Sequence, residues 1–518
     1  MTDLRKIAVV MSENDNIAIA KKNIKKGTTL KHLSDVIKLS GFIPQGHRFA
    51  LKDIKTGEEI RQYGYIFGIS KGLKKGQTID RKNIREYTTN YKKAVDKIFK
   101  NKIKFAENSA KKNISCKTFP GYKRTDGRVG TRNFFAIVPT SLCASDIAAK
   151  IADALDTDKS LKKKYKNIDG FVAAAHTEGC GCNDGEIIDR LLLTLKNTII
   201  HPNVGGAVII DLGCEKTNRK VIRKYLGNLK KYGKPVDFIS IQDSGGTGKT
   251  LDKSKKIILK RLKKVNAIKR KNVPLKYLII GTECGASDSF SGITANPLIG
   301  KTVDKIISAG GSAILSEIPE MIGAEINLIK RMTSKEVAKK FINGLDYYIN
   351  LAKKFNISLE GNLVHGNKEG GLLNAAIKSL GAILKGGNSK IVDFVDYAEL
   401  IKKKGLNIMN GPGNDLESMT GIAASGANVI LFSTGRGTTE GNLIVPVIKI
   451  STRTEVYEKM RGDVDFNAGR LLDKNISQED LSDELLDMVI SVAAGKKTRA
   501  EVWKKRSFQV WTAGKLSL

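Results

Sequence analysis

The segment GGAVIIDLGCEKTNRKVIRKYL, residues 205–226, passes from an apolar run through a short polar turn into a helical pattern. The same order recurs at NFFAIVPTSLCASDIAAKIADAL (133–155), at IDGFVAAAHTEGCGCNDG (168–185) and at LKYLIIGTECGASDSFSGITANP (275–297). Apolar strands that alternate with helices are typical of parallel sheets covered by helices. We therefore predict an α/β architecture for most of the chain.

A different pattern occupies the first ninety residues. IKKGTTL (24–30), IKTGEEI (54–60) and LKKGQTI (73–79) each place a glycine between short polar segments that are flanked by apolar residues. These glycines suit tight turns between short strands. We predict a small all-β domain at 1–90, a lysine-rich linker at 91–118, and two α/β domains with mainly parallel sheets at 119–268 and 269–518.

The composition is that of a soluble protein with several domains, but it is strongly basic. The 518 residues include 89 Lys and Arg against 53 Asp and Glu, a net charge of +36. The lysines are spread along the whole chain without an arginine-rich arm, so we interpret them as a basic surface that attracts anionic metabolites. Without a membrane span or signal-peptide core, we expect a cytoplasmic protein with neither membrane nor nucleic-acid partners. A basic anion- or nucleic-acid-binding protein is the non-enzyme alternative.

Four of the six cysteines occupy the same position relative to a predicted strand. Cys143, Cys180, Cys214 and Cys284 each follow a strand by one to seven residues, in the turn before the next helix. Ligands of parallel sheets bind outside the carboxyl ends of the strands, so this placement predicts a thiolate-rich site. Thiolates mixed with imidazole and carboxylate groups suit iron or zinc better than magnesium or calcium. The polar residues nearby are His176, Glu178, Glu215, Glu283, Asp288, Glu317 and Glu320.

Other interpretations of the cysteines are weaker. A zinc ribbon needs two CxxC pairs, whereas the one close pair here is Cys180 and Cys182. A cysteine nucleophile needs one thiol beside a base, and this site offers several thiols. Sparse cysteines in a cytoplasmic protein do not favour disulfides.

Glycine-rich loops supply candidate substrate-binding groups. The loop TECGASDSFSGITANP (282–297) offers backbone N–H groups and hydroxyls that suit polyhydroxylated or anionic ligands. Arg436 in FSTGRGTTEG (432–441) carries a guanidinium that matches a carboxylate bidentately. Further candidates are Arg132 and Asn133 in RTDGRVGTRN (124–133) and Asn367 and Lys368 in HGNKEGG (365–371).

At these loops the chain resembles the altronate and galactarate dehydratase family of sugar-acid hydro-lyases. The resemblance rests on GYKRTDGRVGTRN (121–133), LGCE (212–215), CGASDSFSGITANP (284–297), SEIPEMIGAE (316–325), GNKEGGL (366–372), PGND (412–415) and STGRGTTEG (433–441), and IPQGHRFALKDIKTGEEIRQYG (43–64) resembles a SAF domain. It implies a SAF domain before two α/β domains, and a homo-oligomer is expected. It also implies dehydration of a six-carbon sugar acid to a 2-keto-3-deoxy acid with Fe²⁺; another divalent metal or an iron–sulfur cluster stays open.

The implied chemistry assigns roles to the candidates. Removal of a proton α to a carboxylate needs a cation that stabilises the enediolate and a second group that protonates the departing hydroxyl. We predict proton transfer by His176 and by His47, which the SAF domain would deliver. We predict metal ligation by Cys180, Cys214, Cys284 and Glu215, and substrate binding by Arg132, Asn133, Lys368, Arg436 and Lys449.

The sequence favours one substrate class and leaves two alternatives open. PGND (412–415) and the C-terminal VWKKRSFQVWTAGKLSL (502–518) favour an altronate-type aldonate. Galactarate dehydration and (2R)-sulfolactate sulfo-lyase activity are the alternatives, because two features depart from the family pattern. VHGNK replaces SPGNK and places His365 at the substrate loop, and HTEGCGC carries Glu178 and Cys182.

Overall fold

The computed structural model describes residues 2–87, 95, 98–99, 117–358, 362–473, 476–513 and 515. Most of the predicted linker, including Cys116, lies outside these residues. Within these ranges, no helix is both long and apolar enough to cross a membrane.

The N-terminal part is built from short strands, as the glycine pattern predicts. Gly27, Gly57 and Gly76 have φ angles of +80°, +89° and +78°, so each takes a left-handed conformation that favours glycine. Three small sheets result, with the strand orders Thr2–Asp3, Thr29–His32, Asp35–Lys38; Ala8–Val9, Ile17–Ala20, Arg48–Ala50, Thr78–Ile79; and Ile84–Glu86, Tyr65–Ser70, Glu59–Gln62.

The middle part carries a four-stranded parallel sheet, as predicted. Its order is Gly170–Ala173, Phe134–Pro139, Val204–Asp211 and Val236–Ser240. A small antiparallel sheet of Val129–Gly130, Thr118–Lys123 and Lys271–Pro274 lies beside it in the chain.

The C-terminal part is organised around a seven-stranded parallel sheet. Its order is Ile391–Val395, Leu406–Met409, Ser312–Leu315, Ile279–Gly285, Val429–Thr434, Val447–Ser451 and Phe466–Asn467. The fold prediction, a small β domain followed by α/β parts with parallel sheets, is therefore confirmed.

Helices connect the strands of both parallel sheets. The α-helices span Leu142–Thr157, Lys159–Lys164, Glu186–Ile200, Arg219–Leu226, Ile241–Ser244, Thr247–Asn266, Ala295–Ser308, Glu325–Ile329, Lys335–Lys354, His365–Glu369, Ala375–Ala382, Asp415–Ala424, Thr454–Lys459, Arg470–Asp473, Gln478–Ala493 and Arg499–Val502. Short 3₁₀ helices span Leu4–Lys6, Leu229–Tyr232, Leu275–Tyr277, Ile318–Met321 and Ile383–Gly386.

Burial on both faces explains the continuous apolar runs of the strands. In Phe134–Pro139, Phe135 and Ile137 pack into the core that contains Ile147 and Ile151 of the following helix. Phe134, Ala136 and Val138 belong to the other core, with Leu191 and Leu195. A strand covered by helices on both faces has no solvent-facing side and therefore no polar alternation.

The predicted position of two cysteines is wrong in detail. Cys284 lies within the strand Ile279–Gly285 and not in the turn after it, because pairing with the neighbouring strand continues from Glu283 to Gly285. Cys143 lies in the first turn of the helix Leu142–Thr157. Cys180 and Cys214 lie in loops after strands, as expected.

Candidate functional site

A buried cluster of chemically active side chains lies at the carboxyl edge of the seven-stranded sheet. Cys284 is contributed by the strand Ile279–Gly285, and Glu317 and Glu320 follow the adjacent strand Ser312–Leu315. Each offers one ligand atom, and these atoms all lie within 4.8 Å of one another. The Cys284 Sγ lies 3.1 Å from Glu320 Oε2 and 3.7 Å from Glu317 Oε1.

Two lysines balance the charge of this cluster. Lys385 is buried, pairs with Glu317, and places its Nζ 2.8 Å from the Cys284 sulfur. Lys378 places its Nζ 2.7 Å from Glu320 Oε1 and also donates to Asn362. Buried charges need such partners, because an unpaired ion loses its solvation without compensation.

Burial and the neighbouring charges shift the protonation of the whole group. Burial, together with the charges of Glu317 and Glu320, raises the pKa of Cys284 well above that of a free thiol. Burial raises the pKa of Glu317 to about 7, although Lys385 opposes the shift. Burial would lower the pKa of Lys385, but Cys284 and Glu317 outweigh it and raise that pKa. Groups that titrate near neutral pH are suited to proton transfer.

The backbone is strained at the same place. Glu317 has φ +69° and Ala286, two residues beyond Cys284, has φ +52°. Left-handed conformations of residues other than glycine cost free energy and concentrate at functional sites. Here they turn the chain sharply at the ends of two adjacent strands.

Two further carboxylates, those of Asp415 and Glu283, border the cluster. Asp415 begins the helix Asp415–Ala424 and is only partly buried. Burial and the charge of Glu320 raise its pKa to about 6, against the effect of Lys378. Glu283 accepts a hydrogen bond from Ser418 at 2.6 Å, and burial raises its pKa well above the usual value. Asp415 therefore combines a raised basicity with access from outside the cluster.

The SAF-like domain packs against loops of the C-terminal part. Arg48 is buried and donates to the Gly371 carbonyl and to Ser289 Oγ, the latter at 3.1 Å. Its neighbour His47 is half-buried, and burial, followed by the Arg48 charge, lowers the pKa of the imidazole. A small cavity beside this interface is lined by Tyr63, Ser287, Asp288, Ser291, Gly292, Asn296, Leu372, Ile377, Lys378, Gly381 and Ala382.

His176 and Glu215, predicted for proton transfer and metal binding, make internal contacts. The His176 Nε2 lies 3.0 Å from the Pro139 carbonyl, while its Nδ1 accepts from the Glu178 N–H at 3.1 Å. Burial lowers the pKa of His176 to about 4. Glu215 accepts four hydrogen bonds, from Thr140 Oγ1, Ser141 Oγ, and the N–H groups of Leu212 and Gly213. Both side chains hold loops at the edge of the four-stranded sheet.

The predicted ligands do not form one set. Cys284 meets Glu317 and Glu320, whereas Cys180, Cys214 and Glu215 belong to loops of the other parallel sheet. The sequence placed all these cysteines at strand ends, but it could not assign the strands to separate sheets.

Two predicted substrate-binding residues, Arg132 and Asn133, are buried in internal contacts. Arg132 forms two hydrogen bonds with the Glu501 carboxylate and donates to the Val492 and Lys496 carbonyls. Asn133 donates to the Asn167 carbonyl at 2.7 Å. These contacts use their polar atoms to join segments of the chain and argue against a role in binding substrate.

The other three predicted substrate-binding residues lie in different surroundings. Arg436 pairs with Glu369, and Lys368 is exposed on the same short helix as Glu369. Lys449 is buried, and its Nζ has no hydrogen-bond partner among the described residues. Arg436 and Lys368 therefore border the loop that contacts the SAF-like domain.

Three family models match the chain. They are described as the altronate/galactarate dehydratase SAF domain (residues 6–87), the D-galactarate dehydratase/altronate hydrolase second domain (residues 121–266) and the D-galactarate/altronate dehydratase C-terminal domain (residues 275–516).

Curated relatives match over nearly the whole chain. The chain is 33% identical to altronate dehydratase of Bacillus subtilis over 512 residues, which are 98% of this chain and 99% of the relative. It is 31% identical to altronate dehydratase of Escherichia coli over 506 residues, covering 96% and 98%. It is 32% identical to galactarate dehydratase (L-threo-forming) of Escherichia coli over 506 residues, covering 96% and 94%.

Proposed function

The chain belongs to the altronate/galactarate dehydratase family, and we propose that it dehydrates an altronate-type aldonate to a 2-keto-3-deoxy acid. The observation that carries the proposal is the buried cluster of Cys284, Glu317, Glu320, Lys378 and Lys385 at the carboxyl edge of the seven-stranded sheet. It joins fixed positive charge to groups with shifted pKa values, as an α-proton abstraction requires.

Iron fits this cluster in donor type and spacing. A cysteine sulfur, which loses its proton when it binds a metal, and two carboxylates suit a borderline transition metal, and the donor atoms of Cys284, Glu317 and Glu320 lie within 4.8 Å of one another. Lys385 now contacts two of these donors, so a bound ion would replace some of its contacts. When bound, Fe²⁺ would hold the substrate carboxylate and stabilise the charge that develops on it.

The protein's own side chains would transfer the protons and orient the substrate. Asp415 would accept the α-proton at a carboxylate oxygen, because it is ionised at neutral pH and, with a pKa of about 6, more basic than a free aspartate. Lys378, which lines the small cavity, would orient the substrate's carboxylate or hydroxyl oxygens. His47 would deliver a proton to the departing hydroxyl in its protonated form, which the lowered pKa makes the minor form at neutral pH but a stronger acid.

The charged side chains of Lys368, Glu369 and Arg436, which we call the rim, support a substrate with one carboxylate. Glu369 pairs with Arg436 and also lies 3.2 Å from His365 Nε2, so the Arg436 charge is already neutralised. Lys368 is left without an ion pair in the part of the chain that the structure describes. A dicarboxylate such as galactarate would need more uncommitted cations than this rim offers.

The test is an anaerobic assay of the full chain with added Fe²⁺ against altronate, galactarate and (2R)-sulfolactate. We expect a 2-keto acid from altronate, a slower reaction with galactarate, and no sulfite. Failure to form a 2-keto acid from any aldonate or aldarate would overturn the proposal. Release of sulfite would instead identify a sulfo-lyase.

A further inference from the structure

Three cysteines outside the buried cluster share one edge of the four-stranded sheet. Cys143, Cys180 and Cys214 are free and exposed. They follow three adjacent strands, since the strand before Cys143 is flanked on either side by the strands before Cys180 and Cys214. The order is Gly170–Ala173, Phe134–Pro139, Val204–Asp211. We call this group the three-cysteine face.

Hydrogen bonds join the three loops to one another. Thr217 Oγ1 donates to the Thr140 carbonyl at 2.6 Å, and Thr140 Oγ1 donates to Glu215 at 2.7 Å. The Leu142 N–H donates to the Glu178 carbonyl at 2.8 Å. Each loop is therefore fixed to a neighbour within one to three residues of its cysteine.

Gly179 allows the close approach of these loops. It has φ +94°, and a Cβ there would lie 2.5 Å from the Thr140 carbonyl and 2.7 Å from Thr217 Oγ1. Cys182 differs from its neighbour Cys180, because it is buried and its carbonyl accepts from Lys216. The local packing thus exposes Cys180 and conceals Cys182.

The spacing of the sulfurs argues against a single tetrahedral ion. They do not form a set of ligand atoms within 4.8 Å of one another, unlike the cluster around Cys284. A single tetrahedral ion with metal–sulfur bonds of about 2.3 Å would need its sulfurs within about 4 Å. An iron–sulfur cluster places its irons at separate corners, so its cysteine ligands stand further apart.

We propose that Cys143, Cys180 and Cys214 hold an iron–sulfur cluster, with one iron left without a protein ligand. Such an iron is a Lewis acid open to an oxygen ligand, and the exposure of the three-cysteine face gives a small anion access to it. The cluster's presence does not depend on the substrate proposed above, and only its use in elimination would rest on that function.

The test is anaerobic reconstitution of the full chain with ferrous iron and sulfide, followed by measurement of bound iron, acid-labile sulfide and the electron paramagnetic resonance of the reduced protein. We expect about four sulfides per chain. Cys143→Ser, Cys180→Ser and Cys214→Ser should each lose most of the sulfide and the signal. Cys182→Ser, two residues from Cys180, and Cys284→Ser should retain both.

Absence of sulfide from the reconstituted wild type, or sulfide that survives all three substitutions, would overturn the inference. An altronate-active enzyme without sulfide would refute the cluster alone, and a sulfide-loaded enzyme inactive on every sugar acid would refute the proposed function alone. Alkylation of the wild type provides a check that does not depend on variant folding. Cys143, Cys180 and Cys214 should react only after chelation, and equal labelling before and after would contradict the cluster.

Discussion

At the scale of single residues, His176 carries an imidazole of the kind that transfers protons in enzymes. Its contacts, however, are those of a residue that holds a loop in place. Its two ring nitrogens join Pro139 to Glu178, and burial holds its pKa near 4. A neutral imidazole with both nitrogens occupied stabilises the fold and has no free position for a substrate proton.

The pKa of His176 predicts a pH-dependent stability. Between the unfolded pKa of 6.5 and the folded value of about 4, the unfolded chain binds a proton that the folded chain excludes. This contribution to stability is therefore complete above pH 6.5 and is lost as pH falls, by about 2 kcal/mol at pH 5. Urea unfolding near pH 7.5 and pH 5 should show a smaller loss for His176→Gln than for the wild type. Equal losses would contradict the prediction.

Asp415 is the residue that the proposed proton abstraction needs most. Asp415→Asn removes the base but keeps the shape of the side chain, so we expect kcat to fall by about 10²- to 10⁴-fold with little change in KM. Glu417→Gln, two residues along the same helix, is the matched control and should stay near the wild type. Steady-state kinetics with altronate measures both, and an unchanged kcat in Asp415→Asn would remove Asp415 from the mechanism.

The sequence identifies some of these residues and hides others for physical reasons. Cys284 could be selected because cysteine is rare and reactive, and Glu317 and Glu320 because they follow an apolar run. Lys378 and Lys385 could not, because 89 Lys and Arg are spread over the chain. Their one local signal is KSLGAILKGG (378–387), where lysines alternate with apolar residues and glycines in a family motif. Only long-range packing pairs them with carboxylates.

At the scale of elements, the order of strand and helix could be predicted, whereas the grouping of strands could not. Burial of the strands on both faces leaves continuous apolar runs that are easily recognised, as in Val204–Asp211. The division of the parallel strands into a four-stranded and a seven-stranded sheet is set by contacts between distant segments. Cys180 and Cys284 were consequently predicted to share a site that the structure divides.

Gly179 tests the packing of the cysteine loops. In Gly179→Ala the new Cβ would collide with Thr140 and Thr217, and the residue would also be strained at φ +94°. We expect a loss of about 3 kcal/mol. Gly181→Ala is the matched control, with φ +61° and open space around its Cβ, and it should lose about 1 kcal/mol. Denaturant unfolding of the two variants compares them directly, and equal losses would contradict the packing described.

At the scale of the whole molecule, the SAF-like domain and the C-terminal part meet at the candidate site. Family membership confirms the resemblance inferred from the loop motifs and supersedes the non-enzyme interpretation of the +36 charge. Homo-oligomeric assembly stays a prediction. The interface between the two parts could not be read from the sequence, because Arg48 lies among many basic residues and its partners, Ser289 and Gly371, are more than 240 positions away.

Arg48→Met tests whether this interface supports catalysis. Loss of the guanidinium leaves the Gly371 carbonyl without its donor, so we expect the free energy of unfolding to fall by about 2 to 4 kcal/mol. We also expect a lower kcat/KM, because the neighbouring His47 would be displaced. Arg61→Met, which removes a partly exposed pair with Glu59, should cost less than about 1 kcal/mol. Calorimetry and altronate kinetics measure the two effects. Full activity in a folded Arg48→Met protein would separate the SAF-like domain from the reaction.

The most direct measurement is the kcat for altronate in Lys385→Met, with Lys305→Met as the matched control. Both lysines are buried and form ion pairs. The partners of Lys305 are Glu479 and Asp483, neither of which belongs to the cluster around Cys284. Because Lys385 supplies fixed positive charge beside Cys284 and Glu317, a folded Lys385→Met protein should lose about 10²- to 10³-fold in kcat. Lys305→Met should keep a kcat within about threefold of the wild type. Wild-type kcat in a folded Lys385→Met protein would contradict the assignment of the reaction to this cluster.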